Sequence, residues 1–595
     1  MRRRSLKIVL AIALFLGFCT GFALYNKWRI VAWYAGLPAP RYSVKLRQDI
    51  KIPMRDGIKL SADLYIPDAE GKYPVILVRT MYGKRTANQK YSLIASVFAS
   101  QGYVAVVQDV RGKFDSEGEF YPYVNEANDG YDTIEWAGTQ SFSTGKVGTF
   151  GFSYWGSTQW LPAPLGSKYL KAMVPVVTSQ DLYQRWAYNG IYRLTDILVW
   201  YYANAPKRAQ SEKGVDWNTA LRKLPLIEAD NALGIDVPAY DDWIRNPQPG
   251  PYWDKIRVDD KIGQITAPAL IVDGWYDYYV NLAIGDYNRM IKNAGTDDAK
   301  RSMIMIGPWT HFAESKFKDA DFGREASFFK NFRLIVLWFD YWLKGEQNGI
   351  YSEGPIRIFT LGANTWRAVP EWPLKNTRYT AYYLHSQGKA NTARGDGELS
   401  TVEPGAETPD AFTSDPENPV PSIGGTAVLG DLKAGPADQR TVEARDDVLV
   451  YTSAPLAAEL ELTGPVKLIF HAASSAKDTD FAVKLTEVDA AGKSVSIQTA
   501  VLRARYRESL AQPSLLENGK IYRFELEIGN TSILLKKNHR IRLQIAGSNF
   551  PEYGRNLNTG ADNGTTTEVL KARQLVYHDR EHPSQLILPV IPTAQ

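Results

Sequence analysis

Short apolar runs recur through the first half of the chain, at residues 75–78, 104–108, 147–150, 172–177, 270–272 and 303–306. A strand covered on both faces reads as a nearly continuous apolar run, so these runs predict a mainly parallel sheet. The helical stretches between them supply the crossovers that parallel strands need. Ahead of them, residues 43–66 alternate apolar and polar positions around Asp56-Gly57, the pattern of an antiparallel hairpin. Residues 179–260 are rich in Trp, Tyr and helix formers and predict a helical cap inserted into the sheet domain. An amphipathic helix over 326–344 closes that domain. Beyond Gly345 the period changes. Residues 391–447 are rich in Gly, Pro, Asp and Glu and predict long loops, whereas 448–592 alternate apolar and polar positions, as in Val466-Lys467-Leu468-Ile469-Phe470. Repeated short alternating segments predict a β-sandwich. The chain thus divides into an N-terminal segment (1–40), an α/β domain (41–345, cap about 179–260) and a C-terminal sandwich (346–595), with no internal repeat.

The first forty residues carry a different pattern. Arg2, Arg3, Arg4 and Lys7 precede an uncharged apolar run of 18 residues, 8–25. A secretory signal has an apolar region of about 7–15 residues and a small-residue cleavage site, a place Gly21-Phe22-Ala23 can fill. A signal-anchor helix needs about 17–25 apolar residues. Because 27–37 continues amphipathically without a boundary, the anchor is the preferred expectation. Either way the positive flank stays cytoplasmic. The rest of the chain is expected to be exported, periplasmic or extracellular, with membrane contact through this segment only. The single cysteine, Cys19, lies in the apolar run, so the rest of the chain has neither a disulfide nor a thiol nucleophile. A net charge of +4 on 595 residues, with the basic excess in the first seven, leaves no nucleic-acid footprint.

The chemistry centres on Gly151-Phe152-Ser153-Tyr154-Trp155-Gly156, after the run at 147–150. A serine between glycines at a strand-to-helix turn is how α/β-hydrolases expose a nucleophilic hydroxyl, although the usual spacing is G-x-S-x-G and here the second glycine comes one place later. Alone, the string reads equally well as an ordinary turn. Partners change that. Of the six histidines, His385, His471, His539, His578 and His582 lie towards the C-terminus, which leaves His311, just beyond the run 303–306, as the one that can fold around Ser153. Two aspartates follow the run 270–272. Asp273 at the strand end reads as a turn residue, whereas Asp277, further along the loop, is better placed to reach His311. The order Ser153, Asp277, His311 is that of α/β-hydrolases. No His-x-x-x-His or Cys cluster points to a metal, and the chemistry requires no cofactor.

These strings, with Asp273-Gly274-Trp275-Tyr276-Asp277 and Gly307-Pro308-Trp309-Thr310-His311, resemble the CocE/NonD serine hydrolases, a family that spans ester hydrolases, acylases and, more distantly, Xaa-Pro dipeptidyl-peptidases. Further matches are Asp109-Val110-Arg111-Gly112, Phe339-Asp340-Tyr341-Trp342-Leu343-Lys344-Gly345, Ser414-Asp415-Pro416 and Arg555-Asn556-Leu557-Asn558-Thr559-Gly560, so the resemblance spans about 44–589. It implies an α/β-hydrolase domain with a jelly-roll-like C-terminal sandwich. It also implies an oxyanion hole built from the Tyr82 hydroxyl, on the loop after the run 75–78, and the backbone N–H of Tyr154. For Tyr82 the competing reading is a packing tyrosine, one of 34.

Trp155 and Trp275 adjoin the triad residues in sequence, and Trp186 stands where the resemblance implies a pocket tryptophan, so these three are expected to line an apolar substrate pocket. At 12% aromatic content, core packing competes with that reading. Tyr279 and Val280 stand where α-amino-acid ester hydrolases of the family carry acidic residues, which argues against recognition of a substrate ammonium. The expectation is an acyl esterase or acylase that forms an acyl-enzyme on a small-molecule ester, amide or short peptide. The alternatives are an Xaa-Pro dipeptidyl-peptidase and, from another class, a non-catalytic binding protein on the same scaffold. The sequence leaves the oligomeric state open.

Overall fold

In the computed structural model, which describes residues 27–86, 90–427 and 429–592, the predicted runs become strands of one sheet. The strands are β1 (Val44–Pro53), β2 (Lys59–Pro67), β3 (Tyr73–Thr80), β4 (Val104–Asp109), β5 (Ser143–Phe152), β6 (Leu170–Val176), the small hairpin β7 and β8 (Ala187–Tyr188, Ile191–Tyr192), β9 (Leu270–Tyr276) and β10 (Met303–Thr310), followed by β11 (Ile356–Thr360) and β12 (Thr365–Val369). Apart from the hairpin they align in the order β1-β2-β4-β3-β5-β6-β9-β10-β11-β12. From β4 to β11 the neighbours run parallel, and β1, β2 and β12 add antiparallel edges.

Alternation along each strand divides the core. Ile76, Val78, Ala105, Val107, Phe150 and Met305 face one way, where they pack against Phe98 and Phe332. The opposite face, with Val75, Leu77, Val104, Val106, Val147 and Ile304, continues into the cap and the sandwich. The helices that cover the sheet and build the cap are α1 (Lys27–Tyr34), α2 (Tyr91–Ser100), α3 (Glu126–Thr139), α4 (Ser153–Trp160), α5 (Leu182–Trp186), α6 (Leu194–Asn204), α7 (Trp217–Leu221), α8 (Pro238–Arg245), α9 (Pro251–Asp254), α10 (Val280–Asn293) and α11 (Phe328–Phe339). The cap comprises α5 to α9 and the β7–β8 hairpin. The helix expected over 326–344 is α11, followed by one π-helical turn, Asp340–Lys344.

The sheet extends past residue 345. β11 pairs with β10 at Ile304 to Ile356 and Ile306 to Ile358, so two strands beyond the expected boundary complete the catalytic sheet. The sandwich then begins. Its strands are β13 (Arg378–His385), β14 (Glu398–Ser400), β15 (Asp410–Ser414), β16 (Val448–Ser453), β17 (Leu460–Ser474), β18 (Asp480–Val488), β19 (Ser494–Arg503), β20 (Tyr522–Leu535), β21 (Arg540–Ala546), β22 (Ala572–Tyr577) and β23 (Gln585–Ile591). The pairs are antiparallel except β14 with β16, and the strands enclose Phe470, Phe481 and Phe524.

The apolar run 8–25, and with it the signal or anchor reading and Cys19, lies outside the described residues. Among the described residues no helix is long and apolar enough to cross a membrane.

Candidate active site

β5 ends at Phe152 and α4 starts at Ser153 with nothing between them. Ser153 has a φ of 54°, a left-handed conformation that costs a non-glycine residue about 1–2 kcal/mol. Close packing holds it there. A Cβ on Gly151 would stand 2.1 Å from the Trp155 carbonyl oxygen, and one on Gly156 would stand 2.6 Å from Thr178 Cγ2. The displaced second glycine is therefore the residue at which α4 touches the segment leaving β6. Tyr154 anchors the first turn of the helix. Its hydroxyl donates to Glu126 Oε1 (2.9 Å) and accepts from the Tyr123 backbone N–H (3.1 Å), while Glu126 pairs with Arg79 at 2.7 Å. The side chain of Tyr154 is thus fully used in packing. Its backbone N–H belongs to the first turn, where a helix supplies no acceptor of its own.

The next two residues come from adjacent parallel strands. A Cβ on Gly274 of β9 would stand 2.2 Å from the Trp309 carbonyl oxygen of β10, a contact that brings the two strand ends together. Asp277 leaves β9 through a turn closed by its N–H on the Gly274 carbonyl (2.9 Å). Its Oδ1 accepts from the Tyr279 N–H at 2.7 Å, and its Oδ2 lies 2.6 Å from His311 Nδ1. The pair is buried, Asp277 at 0% and His311 at 6% exposure. Asp273, also fully buried, accepts from the Gly274 N–H at 2.7 Å and does not contact His311. Burial, reinforced by the charge of Asp277, raises Asp273 well above the usual carboxylate range.

The geometry joins acid to histidine but not histidine to serine. Among the described residues no hydrogen bond links Ser153 to His311. The other ring nitrogen, Nε2, lies 3.1 Å from the Tyr278 hydroxyl, and the Tyr278 ring stacks on the imidazole at 4.6 Å with 24° between planes. Ser153 instead neighbours the Tyr82 hydroxyl, which also accepts from Trp200 Nε1 at 3.2 Å. Tyr82 is held by its backbone N–H on Thr80 Oγ1 (3.0 Å) and by Thr86, whose hydroxyl donates to its carbonyl (2.6 Å). Burial pushes the Tyr82 phenol up, so it remains a protonated donor.

Of the three tryptophans expected in a pocket, one lies at this wall. Trp186 packs on Trp200 (5.3 Å) and Trp243 (4.6 Å). Trp155 and Trp275 correct the expectation. Trp155 sits edge-on to Tyr91 and Phe150 at 4.7 and 5.9 Å, in the core beneath α2 and α11. Trp275 donates Nε1 to the Phe359 carbonyl at 2.7 Å and packs on Trp372 at 5.9 Å, towards the sandwich. Side chains alternate across a strand and rotate round a helix, so adjacency to a triad residue in sequence turns its neighbour elsewhere.

Residues not singled out from sequence complete the wall: Tyr278, Trp200 of α6 and Arg185 of α5. The Arg185 guanidinium lies between two rings, 3.8 Å from the centre of Tyr278 and 4.0 Å from that of Trp186. Its one ion-pair partner is Asp196, at 3.4 Å, and its Nε has no partner among the described residues. A charge inside the aromatic string Tyr183-Gln184-Arg185-Trp186 was the available signal.

Comparison with known proteins agrees with this architecture. The family model described as X-Pro dipeptidyl-peptidase (S15 family) matches residues 56–313, and that of the X-Pro dipeptidyl-peptidase C-terminal non-catalytic domain matches 348–587. Cocaine esterase of Rhodococcus sp. (strain MB1 Bresler) is 37% identical over 576 residues, covering 92% of this chain and 99% of that protein. Among solved structures, an α-amino acid ester hydrolase superposes with a TM-score of 0.80 at 25% identity over 93% of this chain and 98% of its own. A CocE/NonD family hydrolase from Staphylococcus aureus, at 20% identity, shares the fold with a TM-score of 0.65 over 92% of this chain and 94% of its own. With a relative this similar along nearly its whole length, the chain belongs to the CocE/NonD family of serine hydrolases.

Proposed function

We propose that this hydrolase is an acyl esterase or acylase in which Ser153, His311 and Asp277 form the triad. The buried 2.6 Å contact between Asp277 Oδ2 and His311 Nδ1, beside a serine on a left-handed elbow, carries the reading. An ionised carboxylate only accepts, so Nδ1 keeps its proton and Nε2 is left as the base. His311 takes the Ser153 proton as the hydroxyl attacks the substrate carbonyl. The Tyr82 O–H and the Tyr154 backbone N–H stabilise the oxyanion. His311 then protonates the leaving alcohol or amine, and water cleaves the acyl-enzyme. Trp186 and Trp200 supply an aromatic wall that suits a bulky acyl group. The family also contains Xaa-Pro dipeptidyl-peptidases, and that activity is the second reading. Against it, Tyr279 and Val280 after the triad acid are buried and uncharged.

Labelling with a fluorophosphonate probe tests the nucleophile: wild type labels, and equal labelling of Ser153→Ala sinks the assignment. A panel of p-nitrophenyl esters, glutaryl amides and Xaa-Pro anilides ranks the substrates, and turnover of the anilides alone would favour the peptidase.

We further propose export, with residues 8–25 retained as a membrane anchor. The basic flank Arg2, Arg3, Arg4 and Lys7 and the 18-residue length support this. Intact-mass measurement on exported protein that lacks residues 1–23 would replace the anchor by a cleaved signal.

A further inference from the structure

The Tyr278 hydroxyl lies 3.1 Å from Nε2 of His311, the ring nitrogen that the serine needs. With Nδ1–H donated to Asp277, Nε2 carries the lone pair that is to receive the Ser153 proton. Burial raises Tyr278 well above the usual phenol range, with Arg185 opposing, so its oxygen is protonated and donates. The only acceptor on the imidazole is therefore taken, at 3.1 Å. We propose that Tyr278 caps the catalytic base: in the free enzyme it holds the His311 lone pair, and it yields when substrate enters. The inference rests on the triad reading above.

The cap is clamped from outside its own loop. The Tyr278 ring lies on the imidazole at 4.6 Å, and the guanidinium of Arg185 lies on Tyr278 at 3.8 Å, backed by Trp186 at 4.0 Å. Both clamping residues belong to the five-residue helix α5 of the inserted cap. Arg185 in turn pairs with Asp196 at the start of α6. Trp200, also on α6, donates to the Tyr82 hydroxyl. A substrate acyl group entering against Trp186 and Trp200 thus presses on the elements that fix Tyr278. Release of the phenol from Nε2 leaves the lone pair for Ser153. No bond other than the hydrogen bond is exchanged.

Among the described residues, Asp277 and Tyr278 contact His311 directly, and Tyr279 stands at 6.0 Å and Phe312 at 5.7 Å between ring centres; the buried charges beyond them are Asp196, held by Arg185, and the guanidiniums of Arg185 and Arg193, 3.8 and 5.4 Å from the centre of Tyr278.

Tyr278→Phe keeps the ring and its stacking and removes only the hydroxyl. We expect its second-order rate of labelling by a small fluorophosphonate to rise about fivefold, the size of one neutral hydrogen bond. A labelling rate that is unchanged or lower overturns the proposal. Arg185→Met tests the clamp with the hydroxyl in place: labelling accelerates in the same direction, and no acceleration overturns the role given to α5. The Ser153→Ala control separates failure of the triad, in which wild type does not label at that serine, from failure of the cap.

Discussion

At the scale of single residues, this site is a set of buried groups whose protonation is set by burial and by one another. Tyr82, pushed up by burial, is a side-chain donor beside the Ser153 hydroxyl. Tyr82→Phe is expected to lower kcat by about 10²–10³-fold, the effect of losing one preorganised oxyanion donor, with fluorophosphonate labelling slowed in parallel. The two aspartates, Asp273 within β9 and Asp277 just after it, separate in their contacts. Asp277→Asn cannot hold the imidazole in its working tautomer and should cost about 10⁴ in kcat. Asp273 is spent on the Gly274 N–H and makes no hydrogen bond to His311, so Asp273→Asn should lower kcat far less than Asp277→Asn. Steady-state rates on one ester for the three variants check the assignment, and equal losses for the two aspartate variants would contradict it. These roles differ in how far they were legible in sequence. Ser153, Asp277 and His311 stand out because each follows a buried strand. Tyr278 and Arg185 do not, because their contact exists only once α5 has folded onto a loop far along the chain. Trp155 and Trp275 misled, since proximity in sequence to a reactive residue says nothing of the face a side chain occupies.

At the scale of elements, the β5–α4 elbow shows how backbone contact dictates composition. A side chain at Gly156 meets Thr178 and, at 3.0 Å, the Gly151 carbonyl oxygen. Gly156→Ala should therefore push α4 away from the segment after β6, with an overpacking cost of about 1–3 kcal/mol. A lowered unfolding midpoint together with slowed labelling of Ser153 is expected; an unchanged midpoint would mean that the elbow is looser than its contacts imply. The parallel strands were readable because burial on both faces leaves mostly apolar residues in them, as in Val75-Ile76-Leu77-Val78 and Met303-Ile304-Met305-Ile306. β11 and β12 were not, because an alternating pattern such as Ile356, Arg357, Ile358 suits the edge of the first sheet as well as a sandwich strand.

At the scale of the whole molecule, the sandwich is bound to the helix that follows the triad acid. Asn281, at the start of α10, accepts from the backbone and side-chain N–H groups of Asn530 at 2.9 and 3.0 Å. It also grips the cap, where Arg193 donates to the Tyr553 hydroxyl at 3.0 Å and Gly554 N–H to the Tyr192 carbonyl at 2.9 Å. Its own interior contains a buried polar lock. His578 lies 2.9 Å from both Glu407 and Asp410, and His385 shares Glu407 at 2.7 Å. Burial opposes the imidazolium of His578, but the bonds to Asp410 and Glu407 outweigh it and raise His578. Burial likewise opposes the Glu407 carboxylate, yet His385, the Ser386 N–H and His578 hold it below its ordinary value. A raised histidine stabilises the fold fully below about pH 6.5, and that contribution fades as pH rises through the folded value. A depressed carboxylate contributes above about pH 4.3 and fades as pH falls through its lower folded value. The difference in unfolding midpoint between wild type and His578→Gln should then be largest near pH 6 and shrink on the alkaline side. A difference that grows with pH would reverse the assignment.

The crossing of β11 and β12 into the first sheet also decides how the catalytic half can be isolated. A fragment ending at Gly345 leaves Ile304, Met305 and Ile306 of β10 with main-chain groups unpaired on the strand that leads to His311. A bare flat edge of that kind recruits another copy. Extending the fragment just past Val369 covers it with the molecule's own strand pair while still omitting the sandwich. The longer piece should elute as a single species where the shorter one forms aggregates.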